Sequence, residues 1–140
     1  MLSNTAEYAL RAVLHLAERS GGEPVRVSEI AEGVGVPRNY LSKIFHVLAR
    51  AGILRSTRGQ HGGFQLAMAP DQISLAAVVG QFTDVSGPRS CLLGRPSCSD
   101  GTPCQAHARW KPLSQELATF FEETTVADLI TDRRHNPAAA

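Results

Sequence analysis

Gly33-Val34-Gly35-Val36-Pro37-Arg38-Asn39-Tyr40-Leu41 decides the fold of this chain. The closely spaced glycines leave room only for a tight turn. Pro37 suits the first position of a helix, where its fixed φ is favourable and its missing N–H costs nothing. From there Leu41, Ile44, Phe45 and Leu48 recur at helical spacing to about Ala51, and Gly52 closes the helix. Upstream, Val27, Ile30 and Ala31 give a short helix over residues 27–33. Helix, short Gly-bearing turn, helix is the signature of a helix-turn-helix.

Outward from this core, Ile53–Thr57 and Phe64–Met68 alternate apolar and polar residues on either side of Arg58-Gly59-Gln60-His61-Gly62-Gly63. Two such runs around a Gly-rich loop predict a β-hairpin, and behind a helix-turn-helix it forms a wing. Before the core, Ala6, Ala9, Leu10, Val13, Leu14 and Ala17 predict a first helix over 4–19, with Asn4 and Glu7 in capping-box spacing and Ser20-Gly21-Gly22 ending it. After the hairpin, Ser74 opens a small helix through Leu75, Val78 and Val79. Ten of the 22 residues from Thr83 to Cys104 are Gly, Pro or Ser, so a loop is expected there. A loop this long in a compact domain is usually functional or disordered. A last long helix runs from about Cys104 to Glu123, with Pro112 inside it and Leu113, Leu117, Phe120 and Phe121 on its apolar face. A final turn carries Val126, Leu129 and Ile130. The expected fold is mainly α with a small β-hairpin. It divides into a winged helix-turn-helix over 1–82, a cysteine-bearing loop over 83–104, a long C-terminal helix over 105–131 and a frayed tail over 132–140.

With 140 residues and 43% apolar composition, the chain can bury a core, and its charged fraction of 19% is too low for a disordered protein. No run approaches the ~20 apolar residues of a membrane span. The first residues lack the basic end and apolar stretch of a signal peptide, so the cytoplasm is the expected compartment. Thiols there stay reduced, which favours metal-binding or reactive cysteines over disulfides.

The net charge of +1 conceals a strong asymmetry. Residues 33–70 carry Arg38, Lys43, Arg50, Arg55 and Arg58 without one Asp or Glu, while all 13 acids lie elsewhere. Such an excess is the electrostatic footprint of a polyanion site. A recognition helix meets base edges with its N-terminal side chains, here Arg38, Asn39, Tyr40 and Ser42, with Lys43 near the backbone. Arg pairs bidentately with guanine and Asn with adenine, while Ser and Tyr reach phosphates. Arg55, Arg58 and His61 fall on the wing, within reach of phosphate or the minor groove. A charged three-helix protein-interaction domain is the competing reading of this segment.

The three cysteines are spaced Cys91-x6-Cys98-x5-Cys104, with His107 three residues further on. Thiolates are soft donors suited to iron–sulfur clusters, zinc or copper(I). Cys104 and His107 fall one turn apart, so both can face one metal. Structural zinc sites usually contain a pair separated by two to four residues, which is absent here; a zinc staple nonetheless remains the alternative, and three incidental cysteines the plainer one. There is no ferredoxin-like cysteine spacing, dinucleotide fingerprint or nucleophile–base motif, so nothing points to an enzyme or electron carrier.

Over about residues 1–131 the chain resembles the Rrf-two family of bacterial winged-helix regulators, whose IscR and NsrR types carry iron–sulfur clusters. The resemblance rests on Tyr8-Ala9-Leu10-Arg11-Ala12, Val36-Pro37-Arg38-Asn39-Tyr40-Leu41, the wing's Arg58-Gly59-Gln60-His61-Gly62-Gly63-Phe64, the cysteine triplet, and Cys104-Gln105-Ala106-His107-Ala108-Arg109-Trp110. It implies a homodimer with crossing C-terminal helices, a palindromic double-stranded DNA operator and a repressor role, with no membrane and no small-molecule substrate. Cys91, Cys98 and Cys104 match the family's cluster ligands, and His107 matches the histidine completing the 2Fe–2S site of the IscR type. In the NsrR type an acidic residue of the partner's first helix completes a 4Fe–4S cluster, and Glu7 falls at that position. The first cysteine gap is one residue longer than in the IscR type, which leaves 2Fe–2S favoured and 4Fe–4S open. The signal implied is nitric oxide, redox state or iron–sulfur supply.

Overall fold

The computed structural model describes residues 2–19, 21–85 and 91–135. Residues 86–90 of the expected loop and 136–140 of the expected tail lie outside the described residues, as do 1 and 20. The elements are α1 (Asn4–Arg19), α2 (Val27–Val34), α3 (Arg38–Arg50), β1 (Leu54–Thr57), β2 (Gly63–Leu66), a 3-10 turn (Pro70–Gln72), α4 (Leu75–Val79), α5 (His107–Glu123) and α6 (Val126–His135). This is the mainly helical, winged architecture expected from the sequence.

α1 starts at Asn4, but its cap is Ser3, whose hydroxyl accepts the Ala6 N–H at 3.1 Å. The Asn4–Glu7 capping box is therefore corrected, because Asn4 is already helical and Glu7 is exposed. The buried stripe is also rotated from expectation. Ala6, Ala9, Ala12, Val13 and Leu16 are buried, while Leu10, Leu14 and Ala17 flank the core half-buried. α2 extends one residue beyond 33 and ends on Gly35 at φ 70, where a left-handed conformation favours glycine. Pro37 caps α3 as the last extended residue, with φ −56 and ψ 132, rather than occupying its first turn. Leu41, Ile44, Phe45 and Leu48 are buried as expected.

β1 and β2 pair antiparallel in the register Leu54↔Leu66, Arg55↔Gln65, Ser56↔Phe64 and Thr57↔Gly63. On the other edge of β2, Val25 and Phe64 exchange both backbone bonds at 2.8 Å. This single antiparallel bridge fastens the wing to the linker before α2 and so to the helical head. Phe64 stacks edge-on against Phe45 of α3 at 5.1 Å, so the wing is also seated on the third helix.

Within the expected C-terminal segment 105–131 the long helix ends at Glu123 as expected, and the final turn after the break at Thr124 and Thr125 is the ten-residue α6. Thr125 and Asp128 bond reciprocally, Asp128 Oδ2 accepting the Thr125 N–H and Thr125 Oγ1 the Asp128 N–H, which starts α6 afresh. The break is sutured to the head: Leu75 N–H donates to Thr124 O and Val126 N–H to Ile73 O, each at 2.9 Å. Val126 and Ile130 join the main core with α1, so α6 belongs to the head, while α5 sends Phe121 into a smaller core beside it. α6 continues through His135, into the stretch that reads as a tail. α5 begins at His107, three residues after Cys104, with Pro112 accommodated inside it.

A methyl group at Gly63 would run into the Val25 carbonyl. Gly63→Ala is therefore expected to lower stability by about 1–3 kcal/mol, seen as a reduced Tm. Gly21→Ala, where a methyl group meets nothing within 4 Å, should stay within about 0.5 kcal/mol of the parent.

Candidate nucleic-acid interface and metal centre

The first turn of α3 leaves Arg38 and Asn39 exposed, with Lys43 exposed one turn on and Ser42 half-buried. Arg55, Arg58 and His61 are exposed on the hairpin. Among the described residues none of Arg38, Lys43, Arg50, Arg55 and Arg58 is in an ion pair, although Arg19 pairs with Glu29 and Arg133 with Glu18. Cations left without acids on one helix and its wing suit a polyanion.

Tyr40 is partly committed elsewhere. Its hydroxyl bonds to the Thr5 hydroxyl, and its ring stacks edge-on against Tyr8 at 5.8 Å, leaving the residue 37% exposed. It ties α3 to the start of α1, a role its position in the sequence did not suggest. Two further ties set the helix-turn-helix. Arg11 donates to Val34 O at 2.6 Å, closing the end of α2. His15 lies against Gly33, which has no Cβ to obstruct it. Arg26 was also missed by sequence reasoning; it donates to Gln60 O at 2.7 Å and holds the tip of the wing.

The cysteine loop brings its donors together in two pairs. The Sγ atoms of Cys91 and Cys104 lie 3.4 Å apart, and Cys98 Sγ lies 3.2 Å from His107 Nδ1. All three cysteines are free thiols, Cys91 buried and the other two half-buried. Among the described residues no group of three or more His, Cys, Asp or Glu converges to hold one ion, so the arrangement is two pairs rather than one cage. Glu7 of the same chain is exposed on α1 and is not part of either pair.

The setting of Cys91 favours its thiolate form. Backbone N–H groups of Arg95 and Leu93, then the Cys104 thiol, hold its pKa below the ordinary thiol value. The turn that supplies those donors closes with Gly94 N–H donating to Cys91 O at 2.9 Å, Gly94 sitting at φ 80. His107 is buried at the start of α5, and its Nε2 lies 2.8 Å from Asp100 Oδ1. Lys111, then His107, hold the Asp100 carboxyl below the usual carboxylate range. Asp100 and Lys111 had no place in the sequence reading; a carboxylate lying between two cysteines was the only available signal. The donor set, three soft thiols and an imidazole, fits an iron–sulfur cluster and also admits zinc.

α5 buries His107, Ser114 and Phe121 against its own chain. Leu113 and Phe120 stay 50% and 48% exposed, with half-buried Leu117 between them. No helix among the described residues is long and apolar enough to cross a membrane.

The family model Rrf2, described as an iron-dependent transcriptional regulator, matches residues 2–132. A candidate HTH-type transcriptional regulator of Aquifex aeolicus is 37% identical over 132 residues, 93% of this chain and 91% of that protein. The HTH-type transcriptional regulator IscR of Aliivibrio salmonicida is 30% identical over 131 residues, 94% of this chain and 77% of that protein. CymR (YrzC), the global cysteine regulator of B. subtilis, shares the fold at TM-score 0.78 and 22% identity, covering 94% of this chain and 97% of that one. These relatives are regulators and not enzymes, and the chain belongs to the Rrf2 family of transcriptional regulators.

Proposed function

We propose that the chain is a cytoplasmic, homodimeric DNA-binding repressor whose operator affinity is set by an iron–sulfur cluster on Cys91, Cys98, Cys104 and His107. The observation that carries this reading is the paired arrangement of the four donors. In a 2Fe–2S cluster each iron takes two protein ligands, which two donor pairs match better than a single-ion cage. When bound, the cluster supplies a centre that oxidation, nitric oxide or iron shortage can dismantle.

The chain's own residues do the rest. The backbone N–H groups of its turn lower the pKa of Cys91 and so ease loss of its proton on ligation. His107 belongs to α5, so ligation fastens the loop to that helix. Leu113, Leu117 and Phe120, spaced to one side of α5, pack against the same face of a second copy. The sutures at Thr124 and Val126 hold α5 to the head. The spacing of two recognition helices then follows from how two α5 helices cross. A palindromic operator requires that spacing to be near one helical turn of DNA, ~34 Å. Arg38 and Asn39 read base edges, Ser42 and Lys43 take nearby positions on α3, and Arg55, Arg58 and His61 contact the backbone or minor groove. Tyr40 contributes chiefly by holding α3 in place. Glu7 of the partner subunit as a fourth ligand of a 4Fe–4S cluster is the competing ligand set.

Anaerobically purified protein is expected to be brown and to contain iron and acid-labile sulfide. A colourless protein with one zinc per chain would instead establish a structural staple. Cys98→Ala should lose the colour while keeping its helical circular dichroism. Phe120→Asp is expected to shift the protein from dimer to monomer in analytical ultracentrifugation. On DNA sites selected in vitro, Arg38→Ala should cost about 1–3 kcal/mol and relax preference at one base pair; uniform weakening across all sequences would make Arg38 a phosphate contact.

A further inference from the structure

The two ring nitrogens of His107 face different partners. Nδ1 lies 3.2 Å from Cys98 Sγ, and Nε2 lies 2.8 Å from Asp100 Oδ1. An ionised carboxylate only accepts hydrogen bonds, so the nitrogen facing it carries the hydrogen. Neutral imidazole carries one such hydrogen, which leaves the Nδ1 lone pair on the Cys98 side.

Asp100 is itself held from α5. Lys111, one turn beyond His107, donates to both Asp100 oxygens at 2.8 and 2.6 Å. The carboxylate therefore spans one turn of α5 and meets two residues on one face of it. The His107 side chain is only 11% exposed, so little water competes for Nε2, although Asp100 is 72% exposed. An isolated surface pair of Asp100 and Lys111 would contribute little to stability. Its placement beside a buried histidine gives it a different use. Metal-ligating histidines commonly give their second N–H to a carboxylate, which fixes both tautomer and ring orientation.

We propose that Asp100, clamped by Lys111, is a positioning residue that holds His107 as the Nε2–H tautomer and presents Nδ1 on the Cys98 side as the metal-binding atom. This rests on the reading of His107 as a cluster ligand and specifies which of its nitrogens does the binding.

The test begins with the reduced, metal-free, full-length protein labelled with 15N-histidine. Long-range 1H–15N NMR reports the tautomer at a pH about two units above histidine's ordinary ~6.5. His107 is expected to carry its hydrogen on Nε2. Asp100→Leu should redistribute it between the two nitrogens, while Asp100→Asn, whose amide oxygen still accepts, should retain it. An Nδ1–H tautomer in the parent, or a tautomer unchanged in Asp100→Leu, overturns the proposal. In the cluster-loaded protein, Asp100→Leu should hasten cluster loss to a chelator about 10–100-fold, and an unchanged rate counts against it. Electron paramagnetic resonance of the reduced cluster tests the underlying reading separately. Absence of a histidine-nitrogen coupling in the parent overturns His107 as ligand, and leaves control of the tautomer by Asp100 to the NMR result.

Discussion

The close approach of four helices and the wing to α1 is the constraint on which the rest of the molecule depends. Ala6, Ala9 and Ala12 are fully buried on its contact face. Helix separation scales with the side chains at the contact, so alanines let α2, α3, α4, α6 and β2 all reach this one helix. Side-chain ties then fix orientation. Arg11 closes α2, His15 fills the space over Gly33, and Thr5 holds Tyr40 of α3. At the start of α1, the Ser3 hydroxyl lies 2.9 Å from that of Thr83, where the chain leaves the head for the cysteine loop. α3 and the root of the loop are therefore located by the same part of the chain.

The second consequence concerns α5. Phe121 packs with Leu75, Val79, Val85 and Ala6, so the far end of α5 sits in a small core shared with α1 and α4. Its near end carries His107 and, just before it, Cys104. The two donor pairs span the loop and the start of α5, an element whose other end is already fixed. Under the proposed function, any change at the donors is then transmitted as a change in how α5 meets a second copy. The head itself need not refold.

Much of this was legible in the sequence, and what was missed has physical causes. The turn at Gly35, the α3 stripe and the hairpin followed from local rules, because φ > 0 and apolar periodicity are local properties. One error came from treating a local pattern as complete. Asn4 and Glu7 satisfied a capping box by spacing, but Ser3 was better placed to accept the Ala6 N–H. The backbone bonds from Leu75 and Val126 that seat the break at Thr124 against the head left no local signal, because they are long-range. The cysteines and His107 were named from spacing and resemblance. Asp100, Lys111, Arg26 and Thr5 were not, since each acts through a partner brought near only by folding.

The account's central claim is that the donor set on loop and α5 governs DNA reading by the head. The most direct measurement is the affinity for one in vitro selected operator, taken anaerobically at fixed salt with the cluster present and after its removal. The account predicts a change of at least about tenfold, roughly 1.4 kcal/mol, with the helical content unchanged. Equal affinity in the two states would contradict it.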